Sequence, residues 1–385
     1  MGAFLLINRR IYMKKSLLAA MLLLMATVAT AQPLTRAQAE QVRNEVVDQW
    51  YKEVRQQTDY ITTANAIERD SLRMPISCRV FGKLPPDGYS LYISLHGGGN
   101  APHQLNDQQW QNQWGLYAPA EGIYICPRAP YDDWDMHFKP AVDNFYRDII
   151  LYAYSHLRVN PDKVYILGYS AGGDGVWRLA PRMADVWAAA SMMAGHPGDV
   201  SLLNLRNLPF MVWCGALDAA YDRNRVCAER IAQLDSLHRA DPDGYIHEGH
   251  IVEGKPHWMD RVDTLAISWM AQYKRNPYPK TIVWQQADVL YDHFYWVSVP
   301  KEEMARGKQL RIRVEGNDII IEKSDYDHLT LNLTDEIVDF DRSVRIRRDG
   351  KTLKRVKLQR SRMVMERTIR QFRDPRYAFY AQVEI

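Results

Sequence analysis

The sequence predicts an α/β protein: a mostly parallel sheet with helices on both faces, followed by an all-β unit. Three observations carry this. Between residues 74 and 275, short apolar runs alternate with amphipathic stretches of helical length, the pattern of strands joined by helical crossovers. At 385 residues the chain exceeds the roughly 100–200 residues of one ordinary domain. After "RNPYPKT" the helical period fades and period-two runs replace it, which reads as a β-rich sandwich over 281–385. The composition, 46% hydrophobic and 25% charged with a net charge of +3, is that of an ordinary globular protein and points to no charged partner.

Taken in order, the chain opens on an address. Met13-Lys14-Lys15 precedes the apolar run "SLLAAMLLLMATV" and then Ala29-Thr30-Ala31, which reads as a signal peptide over 1–31 cleaved before Gln32. The run is too short to span a bilayer. "NRRIYMK" also resembles a twin-arginine signal. The expected location is the periplasm or the exterior, with no stable membrane insertion after cleavage. Residues 32–73 form an N-terminal helical segment. Val42, Val46 and Trp50 fall four apart, with Val47, Tyr51 and Val54 beside them, so a helix over 35–56 should pack on the main domain.

Within 74–275 the runs "YSLYISL", "GIYIC", "KVYILG", "WAAASMM", "PFMVWC" and "GYIHEGHI" are the expected strands. Helices are expected over 105–119, 142–157, 172–184, 222–239 and 258–273. In such sheets ligands bind beyond the carboxyl ends of the strands. At one of those ends lies Gly168-Tyr169-Ser170-Ala171-Gly172, between strand "KVYIL" and a helix. That is the context of a G-x-S-x-G turn, which exposes the serine Oγ and needs small residues two before and two after.

A serine hydroxyl is a weak nucleophile and needs a base, which in turn needs an orienting acid. Asp218 follows strand "PFMVWC", and His257 sits in the Gly/Pro loop after "GYIHEGHI". Both are at the same sheet edge as Ser170. Asp222 is the rival acid, better read as a helix cap; His247 and His250 are rival bases, but lie inside a strand. Asp174 is either a wall of the pocket or a solvated acid at a helix start. For the oxyanion, the glycine turn His96-Gly97-Gly98-Gly99-Asn100 offers the Gly98 amide, and the Ala171 amide completes the pair.

"LHGGGN", "GYSAGGDG", "GALD" and "GKPHW" together resemble the α/β-hydrolase superfamily over about 80–275. They look most like its secreted esterases, polyhydroxybutyrate depolymerase-like proteins and predicted peptidases. The resemblance implies Ser170 as nucleophile, Asp218 as acid, His257 as base, an acyl-enzyme and no cofactor. "HGGGN" differs from the form common in the polyester and feruloyl branches, which leaves the substrate open. An exported ester hydrolase is the expectation, with decorated polysaccharides one candidate substrate and peptides the alternative. A non-catalytic polysaccharide-binding protein is the rival class.

The connection from 195 to 208 is too short for a cap, so an open site is expected. Trp134, in a loop with Tyr131 and Phe138, is a candidate substrate wall; Tyr169 and Trp258 are further candidate contacts. Cys126 and Cys214 lie in apolar strand runs and read as core residues. With no Cys-x-x-Cys pair or Cys/His cluster, no metal is expected. Residues 342–376 hold fourteen Arg or Lys against three acids, a solvated basic face or a docking surface for an anionic polymer. No nucleic-acid motif is present. Because no candidate site residue lies beyond 275, chemistry on a small ester is expected to survive removal of 281–385.

Overall fold

The computed structural model describes residues 33–385, so the signal-peptide reading of 1–31 lies outside the described residues. Helix α1 (Arg36–Ala64) is longer than expected, because Thr35 and Gln38 close a capping box at its start and Asn65 turns left-handed at its end. Its buried stripe includes Val46, Trp50, Val54 and Ile61.

The sheet follows: β1 (Ala66–Arg69), β2 (Leu72–Phe81), β3 (Tyr89–Leu95), α2 (His103–Leu116), β4 (Gly122–Pro127), α3 (Asp143–His156), β5 (Val159–Tyr169), α4 (Ala171–Arg182), β6 (Ala189–Met193), β7 (Phe210–Gly215), α5 (Arg223–Ala240), β8 (His247–Val252) and α6 (Leu265–Met270). The spatial order is β1-β2-β4-β3-β5-β6-β7-β8. Strands β3 to β8 run parallel, while β2 joins β4 antiparallel and β1 joins β2 antiparallel. Every strand expected from 89 onward is present.

Two expectations are corrected. Strands β1 and β2 leave no strand pattern in the sequence, because Glu68, Arg69, Arg73 and Arg79 interrupt their apolar alternation on a half-exposed edge. The helix expected over 258–273 shrinks to the six residues of α6, preceded by one 3₁₀ turn. Residues 253–261 instead form the loop that carries His257, and Asp260 and Arg261 both take left-handed backbone there.

The second unit contains β9 (Thr281–Gln285), β10 (His293–Phe294), β11 (Val297–Ser298), β12 (Gln309–Glu315), β13 (Asp318–Ser324), β14 (Thr330–Leu333), β15 (Val344–Arg348), β16 (Lys351–Val356), α7 (Arg362–Phe372) and β17 (Ala381–Glu384). One sheet is ordered β16-β15-β13-β12-β9, the other β10-β11-β14-β17. Trp284 of the first stacks on Phe294 of the second, with centroids 5.7 Å apart. Helix α7 departs from the all-β expectation for 281–385. Met365, Ile369 and Phe372 form its buried stripe, but the many arginines between them read as a basic run.

The two units share a buried seam. Arg275 reaches Asp374 at 2.6 Å and Asp162 at 3.2 Å, with its side chain 1% exposed. Tyr291 donates to Asp143 at 2.6 Å, and that carboxylate also pairs with buried Arg182. Tyr295 donates to the Ala184 carbonyl. Helix α1 packs on α3 of the first unit and α7 of the second, with Glu45 pairing Arg362 and Glu53 pairing Arg370. Much of the basic run is therefore spent internally: Arg345 pairs Asp318, Arg360 pairs Asp335 and Arg373 pairs Asp148. All four cysteines are free thiols, and Cys126 and Cys214 are buried in the core as expected. No helix among the described residues is long and apolar enough to cross a membrane.

Candidate active site

The chain turns from β5 into α4 within one residue. Ser170 has φ 58° and ψ −120°, a left-handed backbone that a non-glycine residue adopts only under constraint. The constraint is close packing. A Cβ on Gly168 would stand 2.3 Å from the Gly172 carbonyl oxygen, and one on Gly172 would stand 2.1 Å from that of Leu95. Only glycines let strand and helix meet here, and their contact pushes the serine side chain out over the sheet edge.

His257 faces Ser170 from the loop after β8. Its Nε2 lies 2.9 Å from Ser170 Oγ, and its Nδ1 lies 2.7 Å from Asp218 Oδ2. Asp218, in the turn after β7, is 2% exposed. A buried carboxylate accepting from Nδ1–H leaves Nε2 as the acceptor for the serine proton. The rivals lie elsewhere. Asp222 is exposed and pairs with Arg225. His247 pairs with Asp235, and His250 stacks on Trp213.

The glycine turn after β3 bends over the same point. Gly98 has φ 106°, and Gly99 N–H donates to Asn106 Oδ1 at 2.9 Å. The amides of Gly98 and Ala171, in contrast, have no protein acceptor among the described residues. Both residues line one cavity with Ser170. Two unsatisfied N–H donors, one of them at the start of a helix, form a site for developing negative charge. Behind the turn, buried His96 accepts the Ala129 amide on Nε2 and donates from Nδ1 to the Gly97 carbonyl. Burial, and then the neighbouring His137, hold its pKa well below the ordinary histidine value, so it is a neutral strut. Asn106 and His137 carry no sequence signal that would single them out, and His96 shows in the sequence only as the start of the glycine turn.

Two cavities flank Ser170. One, of about 460 Å³, has Trp134, Phe138 and Tyr221 among its walls. The other, of about 680 Å³, lies over Gln109, Tyr169, His257 and Trp258. All three candidate contacts therefore sit beside the serine. Trp134 and Trp258 are rim residues, 53% and 46% exposed. Tyr169 is mainly a brace: its hydroxyl donates to the His257 carbonyl at 2.6 Å and accepts from Met259 N–H at 3.1 Å. Tyr131 is not on the wall; its ring packs under Lys139. The segment 195–208 forms only a 3₁₀ turn, Leu203–Asn207, and the His257 side chain is 42% exposed, consistent with an uncapped site. Asp174 does line the first cavity, where burial raises its carboxyl to about 6 while the His196 amide donates to it at 2.6 Å.

This strand order, a strained serine between β5 and α4, and an acid and a histidine after β7 and β8 are the arrangement of the α/β-hydrolase fold. The chain is 29% identical over 117 residues to a putative esterase, NocK, from Nocardia uniformis subsp. tsuyamanensis; the match covers 29% of this chain and 34% of that relative. Among solved structures it is similar to a thermostable esterase at 18% identity and TM-score 0.42, covering 55% of this chain and 62% of that one. It is also similar to a putative dipeptidyl aminopeptidase IV from Bacteroides ovatus at 12% identity and TM-score 0.40, covering 54% and 34%. No family model matches the sequence.

Proposed function

We propose that this chain is an exported serine hydrolase that cleaves carboxylic esters through Ser170, His257 and Asp218. The observation that carries the reading is the continuous pair of hydrogen bonds, 2.9 and 2.7 Å, from Ser170 through His257 to a buried Asp218. His257 Nε2 takes the Ser170 proton as Oγ attacks the ester carbonyl carbon. The carbonyl electron pair moves onto oxygen, opposite the Gly98 and Ala171 amides. As that pair returns, the ester C–O bond breaks and the alcohol leaves with the proton from His257. Water, activated by the same nitrogen, then releases the carboxylic acid from Ser170. The Lys-rich start, apolar run and Ala29-Thr30-Ala31 support export.

The test is fluorophosphonate labelling of the purified protein together with hydrolysis of 4-nitrophenyl acetate and butyrate. Labelling confined to Ser170 and lost in Ser170→Ala is the expected result. A matched peptide 4-nitroanilide is the control, since amide cleavage would use the same atoms. Ester turnover retained in Ser170→Ala would sink the proposal.

A further inference from the structure

The two cavities beside Ser170 are chemically different, and the position of the histidine tells them apart. A departing alcohol must receive its proton from His257, so it lies on the His257 side, over Gln109 and Trp258. The other cavity, which holds Gly98 and Ala171 but not His257, is left for the acyl group.

That acyl side has both apolar and charged residues in its lining. Trp134 and Phe138 meet edge to face at 5.3 Å, with Tyr221 also on the lining. Arg178, Arg223, His196 and Asp174 also line it. Arg178 is already engaged, donating to Asp199 at 2.7 Å. Asp174 takes the His196 amide, and Asp222 pairs with Arg225 outside.

Arg223 is different. Its side chain is 12% exposed, and its nearest carboxylate, Asp218, is 3.8 Å away and already bonded to His257. Its Nε is buried without a partner, and its Nη1 makes a long 3.4 Å contact to the Ala220 carbonyl. The guanidinium is partly buried and lies 4.9 Å over the Tyr221 ring, and its enclosed Nε–H is costly unless an acceptor arrives. His196 adds a second donor. Its Nδ1 accepts the Gly198 amide at 3.0 Å, which leaves the ring proton of the neutral form on Nε2.

We propose that this cavity is an acyl subsite for a carboxylate-ended acyl group, with its apolar body between Trp134, Phe138 and Tyr221 and its acidic end on Arg223 and His196. The substrates are then hemiesters of dicarboxylic acids. The proposal rests on the hydrolase reading above, and the experiment separates the two.

The experiment compares kcat/KM for 4-nitrophenyl hydrogen adipate and 4-nitrophenyl hexanoate, which share a six-carbon acyl chain, in the wild type and in Arg223→Gln. The wild type should favour the adipate by about tenfold, and Arg223→Gln should remove that preference, as loss of a charge-assisted hydrogen bond does. Because the ratio is read, any damage to Asp218 common to both substrates cancels. As a second measurement on unaltered protein, free adipate should inhibit hexanoate-ester hydrolysis at lower concentration than hexanamide does. A wild-type preference for hexanoate, an unchanged ratio in Arg223→Gln, or equal inhibition by adipate and hexanamide would each overturn the subsite. If neither ester is cleaved and Ser170 takes no fluorophosphonate, the hydrolase reading itself fails.

Discussion

The hydroxyl of Tyr169 donates to the backbone carbonyl of His257 at 2.6 Å, so the residue before the serine holds the loop that carries the histidine. Strand β5 thus positions both ends of the Ser170–His257 hydrogen bond. Tyr169→Phe keeps the ring and breaks the brace. The expected outcome is a kcat on 4-nitrophenyl acetate about tenfold lower with little change in KM, since roughly 1.4 kcal/mol of barrier corresponds to one misplaced hydrogen bond. Steady-state kinetics on the two proteins decide it, and a change in KM alone would refute the bracing role.

The three residues of the relay should act as a unit. Ser170→Ala and His257→Ala should each lower kcat on the order of 10⁶-fold. Asp218→Asn should cost about 10⁴-fold, because an amide facing Nδ1 favours the wrong tautomer. Asp222→Asn, at an exposed residue paired with Arg225, should be nearly silent. A large loss in Asp222→Asn would move the acid assignment.

Asp174 gives the site a pH signature. Burial raises its carboxyl from 3.8 to about 6, so the native state binds a proton more tightly than the unfolded chain. The stability cost of keeping it charged, about 3 kcal/mol, is present in full above pH 6 and is relieved as pH falls from 6 towards 4. Asp174→Asn, which keeps an oxygen for the His196 amide, should therefore raise Tm at pH 8 and have a diminishing effect by pH 4. Thermal melts across that range check it; a stabilisation that grows on acidification would contradict the assignment.

Removal of the second unit should be far more damaging than the sequence suggests. A chain ending near 278 keeps Arg275 and loses Asp374, its partner at 2.6 Å. Truncation also strips Tyr291 from the buried Asp143–Arg182 pair and Tyr295 from the Ala184 carbonyl, uncovering the face they pack on. In the full chain, taking Asp374 from buried Arg275, which keeps Asp162, costs up to about 3–5 kcal/mol. We expect the fragment to aggregate, and Asp374→Asn in the full chain to lower Tm by several degrees. A soluble fragment with ester turnover near that of the full chain would show instead that the two units fold independently.

The positions of Ser170, Asp218 and His257 were legible because each needs both a residue type and a place at the carboxyl end of a strand, and apolar runs mark those ends. The Gly98 turn was legible for the same reason. Strands β1 and β2 were not, since an edge hairpin buries too little to keep an apolar pattern. Helix α7 was hidden because its exposed face carries arginines that find acids on α1, partners distant in sequence. The strut roles of Asn106, His96 and His137 were invisible for a related reason. Their roles depend on backbone atoms that only the folded turn brings within reach.

Helix α1 is made early in synthesis, yet part of what covers it is made last. Glu45 and Glu53 each find their arginine 317 residues later. Until α7 has emerged, the stripe of Val46, Trp50 and Val54 has only part of its cover, so the nascent chain presents a sticky helix for most of its synthesis. Such delayed closure slows folding and favours binding by holdase chaperones.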